Sequence, residues 1–343
     1  MKKLPLYCLC LAVILFSCKD KNNAPDVSAV KADIKLERFD QDFFSIDTLA
    51  LQNSLPALQK KYPVLLPVFI QNILGVDSTS LVRGISSFIR LSKSIHDTVN
   101  IVFKNTDGLK KDFEQSFKYV KHYFPEYPIP AINTIIGPID LLAKTSDGYS
   151  PDFIGPGFLG ISLQFYLGKN FSLYSDEYFI TNVAPQYRSR RFEKDYIVPD
   201  AMKLVVDDLF PDKTSGRPLI EQIIEKGKQW WLLDKFLPKT ADSLKTGFTE
   251  AQLAWCKTNE GLIWNQIISN DNLYSVDPTT IQIYIGESPT TQTMPGESPG
   301  NIGAWIGRQV VKKYAEKNAD FNVAEIMRSD AKKILEEAKY KPK

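Results

Sequence analysis

Pro130-Ala131-Ile132-Asn133-Thr134-Ile135-Ile136-Gly137 decides the fold class. Its β-branched residues stand between a proline and a glycine, and that pattern predicts a strand. A second stretch, Gly157-Phe158-Leu159-Gly160-Ile161-Ser162-Leu163-Gln164-Phe165-Tyr166-Leu167-Gly168, predicts another strand that enters a helix. Between them, Ser146-Asp147-Gly148-Tyr149-Ser150-Pro151 carries strong turn chemistry. Outward in both directions the apolar spacing changes to that of helices. A small β-sheet between two helical sets makes the chain α+β and predominantly helical.

On the N-terminal side, Asp47 is placed to cap a helix from Thr48 to about Tyr62, with Leu49, Leu51, Leu55 and Leu58 as apolar positions. A second helix is expected from Leu65 to Leu74, stopping at Gly75. A third begins at Ser78 or Ser80 with Leu81, Ile85, Phe88 and Ile89 on one face, and Asp107 caps a fourth to Phe124. On the C-terminal side, Asp200 is expected to cap a helix carrying Met202, Val205, Val206 and Leu209. Pro218 fits the first turn of the next. Thr249 and Gln252 have the spacing of a capping box before a long helix that includes Trp255, Leu262, Ile263 and Trp264. The last large helix runs from about Asn301 to Asn318. In it Gly303 and Gly307, one turn apart, suit close packing against another element. The alternative is an anion held at the helix start near Gly300.

The start of the chain sets the compartment. Met1-Lys2-Lys3 precedes an apolar run from Leu4 to Phe16. That run is shorter than the roughly 20 residues a membrane span needs, and it fits an export signal. It ends in Ser17-Cys18, the pattern of a lipobox, where the Cys18 thiol is acylated and the chain is cut before it. Residues 1–17 are thus expected to be a lipoprotein signal peptide, 18–33 a flexible polar tether, and 34–343 a single globular domain. The chain has 42 Lys plus Arg and 40 Asp plus Glu, and loss of Lys2 and Lys3 with the leader leaves no net charge. No global field then gathers polyanions, so nucleic acid is not an expected partner. Cys8 and Cys10 leave with the leader, and Cys256 is the one thiol left unmodified. It lies in an apolar helical stretch and reads as a buried structural residue.

Chemistry-bearing motifs are sparse. There is no Gly-rich phosphate loop and no His-Glu-x-x-His. The two histidines, His96 and His122, fall in separate elements. Carboxylates at Asp195, Asp207, Asp208, Glu260, Glu287 and Glu297 read as solvated faces. No catalytic residue, metal ligand set or cofactor is expected. Tyr187-Arg188-Ser189-Arg190-Arg191-Phe192 is basic with flanking aromatics. Arg188, Arg190 and Arg191 suit either a partner-binding surface for a phosphate or acidic group, or a salt-bridged structural turn.

The pattern along the chain resembles the gliding-motility lipoprotein GldB family. The resemblance rests on the lipobox at Cys18, on Ile34-Lys35-Leu36-Glu37-Arg38-Phe39-Asp40, and on Gly160 to Gly168. It continues through Tyr187 to Phe192, Trp255 to Asn265, and Ser298 to Gly307. It implies a membrane-anchored lipoprotein of the cell envelope, facing the periplasm and required for gliding, with partners in the motility and secretion machinery. The family in turn looks like a distant relative of zincin-like zinc peptidases, which implies a degenerate zincin-like scaffold. The helix from Asp200 to Leu209 would stand where those enzymes carry their histidines, and Glu260 where a third ligand lies. Without histidines there, the resemblance implies a non-catalytic binding or assembly factor. The alternative is an envelope hydrolase with an unconventional site using Asp207 or Glu260.

Replacing the acylated residue by Cys18→Ser is expected to abolish acyl labelling and to release or mislocalise the protein. Labelling with a fatty-acid analogue and detergent partitioning check this, and unchanged behaviour of the variant would refute it.

Overall fold

The computed structural model describes residues 24–145, 148–268 and 272–342. Cys18 and the leader lie outside them. Among the described residues 57% are helical, with a small mixed sheet, so the predominantly helical α+β class is what the molecule adopts.

The sheet has the strand order β1 (Leu36–Glu37), β2 (Ala131–Ile135), β6 (Phe158–Ser162), β5 (Phe153–Gly155). β1, β2 and β6 are parallel, with Leu36 opposite Ile132 and Ile132 opposite Leu159. β5 joins antiparallel as the short partner of β6. A separate hairpin pairs β3 (Ala143–Thr145) with β4 (Gly148–Ser150), where the turn chemistry was strongest. β2 and β6 are buried along almost their whole length, which is why both read as continuous apolar runs rather than alternating ones. The strand β1 is not marked by any periodicity. It is fixed by its sequel: Arg38 holds the buried Asp40 through Nε (2.9 Å) and Nη2 (2.6 Å), and Asp40 accepts from Thr134 on β2 at 2.5 Å.

Helix boundaries follow the side chains. Asp47 does not cap a helix; its carboxylate accepts the Leu49 amide at 2.9 Å in a turn. The helix starts later, at Leu51, leaving Leu49 exposed. The helix expected over 65–74 is α-helical at Leu65–Val68 and continues as a π-helix at Phe69–Ile73, ending at Gly75 with φ +63°. Asp200 lies inside a helix, Ile197–Leu209, which begins three residues before it; a 3-10 turn, Lys194–Tyr196, leads into it. The capping box of Thr249 and Gln252 forms, but the long helix behind it is two, Glu250–Thr258 and Glu260–Ile268.

The centre of the main core is the helix Leu219–Phe236. Almost every residue of it is buried, polar ones included, as befits a helix enclosed on all sides. Lys228 reaches the Met327 carbonyl (3.1 Å) and Glu225 (2.8 Å), so its charge is satisfied inside. This helix packs most extensively against Ile302–Lys317. A second, smaller core joins Phe39, Phe43, Tyr62, Phe69 and Ile85 to Ile135 and Phe158 of the sheet.

The helices Leu219–Phe236 and Ile302–Lys317 touch at glycines. A Cβ built on Gly307 would overlap the Ile223 carbonyl oxygen, and one on Gly227 would overlap the backbone of Gly307. At Gly303 the nearest atoms are Ile285 Cγ2 at 2.7 Å and Tyr284 O at 3.0 Å. The packing role of Gly303 and Gly307 is therefore correct, and the missing partner was Gly227. The obstruction at Gly307 is backbone, which cannot rotate away, so even one methyl is too much. Ala in place of Gly227 or Gly307 should lower stability by about 1–3 kcal/mol, despite a propensity gain of up to about 1 kcal/mol. Gly108→Ala, where nothing lies within 4 Å, should show no such loss. Thermal unfolding of the three variants checks this, and a Gly307→Ala protein as stable as wild type would refute it.

Candidate functional site

The basic turn begins at Pro185, which starts the short helix Gln186–Ser189. That turn sends its three arginines in different directions. Arg188 is buried; its Nε and Nη2 donate to the two oxygens of Glu287 at 3.0 and 2.9 Å. Its Nη1 donates to the Val183 carbonyl, and the guanidinium lies over the Tyr149 ring, 4.5 Å from the centroid. Arg191 donates to the same Glu287 at 2.6 Å. Arg190 turns away and donates to the Gly247 carbonyl. Among the described residues no carboxylate stands within ion-pair distance of it. Burial pushes its pKa below the usual arginine range; Tyr196, which also hydrogen-bonds it, opposes this, and the neighbouring Arg191 adds to the lowering. Its charge nonetheless persists at any ordinary pH.

This Arg–Glu287 knot stands between two cavities that share Arg191. One is a narrow cleft lined by Tyr149, Arg188, Asp200, Lys203, Asp207 and Trp230. Its charges are engaged: Lys203 pairs with Asp200 at 3.1 Å, and Asp207 accepts from Gln229 at 2.7 Å. The other is an open pocket of about 400 Å³ lined by Tyr187, Arg190, Gln252, Trp255, Glu297 and Gly300. Its floor is the segment from Gly286 to Asn301. The Asn301 amide donates to the Gly286 carbonyl (3.1 Å), and Thr291 holds Ser298 and Pro299. Asn301 adopts φ +54° and starts the helix Ile302–Lys317.

The remaining candidates are scattered. Asp207 lines the narrow cleft, whereas Glu260 lines a different concavity and accepts from the Tyr340 hydroxyl. Among the described residues no three His, Cys, Asp or Glu come together as a metal-holding group. His96 stacks on Phe44 with ring centroids 4.4 Å apart, and burial lowers its pKa. His122 is exposed and sits against Tyr123. Cys256 is fully buried, and burial pushes its thiol up to about 12, so it stays protonated and unreactive.

Behind the narrow cleft lies a buried pair with no sequence signature. Asp152 accepts from the Ser162 amide at 2.9 Å and from the Tyr166 hydroxyl at 2.7 Å, both in the interior. Burial pushes the Asp152 carboxyl up to about 8, against the lowering effect of those two hydrogen bonds; the charge of Asp200 adds to the rise.

Fold and site define a helical α+β protein with a narrow cleft and an open pocket on either side of an arginine cluster tied to Glu287. The chain belongs to the family of gliding motility protein GldB, whose profile it matches over residues 20–342. That is a family of gliding-motility lipoproteins of the cell envelope. No curated protein and no solved structure matches the chain, and no finding shows a likeness to zincin-like peptidases.

The Asp152 carboxyl gives a pH dependence with a definite sign. Its folded pKa of about 8 lies above the unfolded value of about 3.9. The native state therefore holds an extra proton between the two, and stability falls as pH rises through that window. Asp152→Asn keeps the shape of the neutral acid and removes the titration. The difference in melting temperature between variant and wild type should move in favour of the variant from pH 4 towards pH 8. A difference that does not change with pH would count against a protonated Asp152.

Proposed function

We propose that the protein is a lipid-anchored component of the gliding apparatus that faces the periplasm and works by binding, holding an acidic segment of another protein of that apparatus in the open pocket. The family supplies the process; the pocket supplies the mode. The observation that carries this reading is Arg190, a half-buried guanidinium with no carboxylate within ion-pair distance among the described residues, set in a pocket with Tyr187 and Trp255. Arginine beside tyrosine and tryptophan is the composition of binding hot spots. A carboxylate of the partner would complete the charge that Glu287 completes for Arg188 and Arg191. Catalysis has less support. The narrow cleft's carboxylates are tied to Lys203 and Gln229, and the buried cysteine is a protonated thiol.

Ala251 is exposed and lines the open pocket. Ala251→Trp should fill the pocket without touching the core. Cells carrying it should contain normal amounts of folded protein and glide poorly. A photo-crosslinking side chain at the same position in the otherwise native protein should capture a single partner, which mass spectrometry identifies. Normal gliding by the Ala251→Trp variant would overturn the pocket as the binding site.

A further inference from the structure

The described chain begins at Ala24, and its first residues are held against the body. Val27 is buried, and the Val30 amide donates to the Val27 carbonyl at 3.0 Å. Ala24 and Pro25 form one wall of a concavity of about 580 Å³ whose other walls carry Lys235, Lys257 and Lys312 beside Trp231 and Tyr123. The same two residues border a second hollow with Lys239.

Lys235, Lys239, Lys257 and Lys312 make no ion pair among the described residues, whereas the acids around them are engaged. Asp234 and Asp242 are held by Arg308 and Lys245 at 2.6–2.9 Å. Glu260 accepts from Tyr340, and Asp26 accepts the amide of its own neighbour Ser28. A cluster of lysines without an ion pair among the described residues, with an aromatic ring under one of them (Lys235 Nζ is 4.8 Å from the Trp231 centroid), thus lies beside Ala24 and Pro25.

Five residues stand between Cys18 and Ala24, six residue steps in all. Fully extended, that stretch spans about 20 Å, and the chain that follows it lines the concavity with Ala24 and Pro25 and buries Val27. An acyl chain on Cys18 therefore keeps this lysine face within about 20 Å of the membrane surface at full extension, and a less extended chain brings it inside the screening length of about 8 Å at physiological salt. We propose that the face around Ala24, with Lys239, Lys257 and Lys312 at its rim, rests on the anionic phospholipid headgroups of the membrane that holds the anchor. The contact fixes which side of the protein looks at the bilayer. This inference rests on the reading of Cys18 as the acylated residue. Its occupant is a headgroup layer rather than a protein, since the short leash brings the membrane here whatever else binds.

The test uses the mature chain carrying Cys18→Ser, so that no acyl chain contributes. Co-sedimentation with vesicles of phosphatidylethanolamine and phosphatidylglycerol should exceed that with vesicles of phosphatidylcholine alone, and it should weaken as salt is added. Each exposed lysine near an anionic surface contributes roughly a fivefold factor. The added Lys239→Glu, Lys257→Glu and Lys312→Glu changes should therefore lower binding by about two orders of magnitude, with an unchanged melting temperature. Equal binding to both vesicle types, or undiminished binding by the charge-reversed protein, overturns the proposal. Acyl labelling of the wild-type chain tests the anchor separately. A labelled wild type whose Cys18→Ser form ignores anionic vesicles refutes the face and leaves the anchor standing. An unlabelled wild type refutes the anchor and, with it, the proposal.

Discussion

The backbone contact between Gly227 and Gly307 sets the geometry on which the rest of the main core depends. With no side chain between them, the helices Leu219–Phe236 and Ile302–Lys317 approach until main chain meets main chain. Once that distance is fixed, so is the reach of everything the helices carry. Arg308, next to the contact, lies on Asp234 through two hydrogen bonds of 2.6 and 2.7 Å. It also holds Asp242 at 2.9 Å, and Lys245 joins both acids. Burial alone would raise the Asp242 carboxyl, but the two cations hold it down at about 2. Four charges close on themselves and tie a third helix, Asp242–Thr246, to the pair. One end of the Ile302–Lys317 helix opens on the pocket that contains Arg190, and its middle reaches the lysine face.

Much of this was legible in the residues. The strands at Ala131–Ile135 and Phe158–Ser162, the helix behind Pro218 and the capping box at Thr249 all follow from local pattern, because each is decided by neighbours within a few residues. What the sequence concealed is what depends on distant partners. β1 is a strand only because β2 passes beside it, and nothing in two residues announces that. Gly303 and Gly307 announced a close approach, yet Gly227 reads as an ordinary helix breaker until the two helices are laid together. Asp47 and Asp200 were given capping roles by composition. A turn amide claimed the first, and a helix started ahead of the second.

The site shows the same division. The arginine run stood out as a basic, aromatic-flanked segment, but its fate depended on Glu287, which lies 99 residues from Arg188. Pairing through that carboxylate takes Arg188 and Arg191 into the architecture and leaves Arg190 differently placed, and no spacing rule separates the three. A carboxylate shared by two guanidiniums needs its charge and hydrogen bonds satisfied at once. That is met here by the Arg188 fork and the Arg191 contact, while the Tyr149 ring lies under the Arg188 guanidinium. Asp152 and Tyr166 were invisible for the opposite reason. They are ordinary residues until burial makes the ionised acid costly.

The second core has a consequence for how the molecule yields. Its residues come chiefly from the segment between β1 and β2, and it meets the sheet through Ile135 and Phe158. The chain thus leaves the sheet after β1, folds a helical block around its own aromatic cluster of Phe39, Phe43, Tyr62 and Phe69, and returns to lay β2 beside the strand it left. Blocks with their own interior are the units in which native proteins open and close. Under force or heat this block has a natural seam along the sheet, and the helices around Gly227 and Gly307 lie on the far side of it. A protein pulled from its N-terminal side would feel the load at the buried Val27 and Ile34 and then at Leu36 and Glu37, the shortest strand of the sheet. The pair Arg38–Asp40 and its bond to Thr134 form the clasp on that strand.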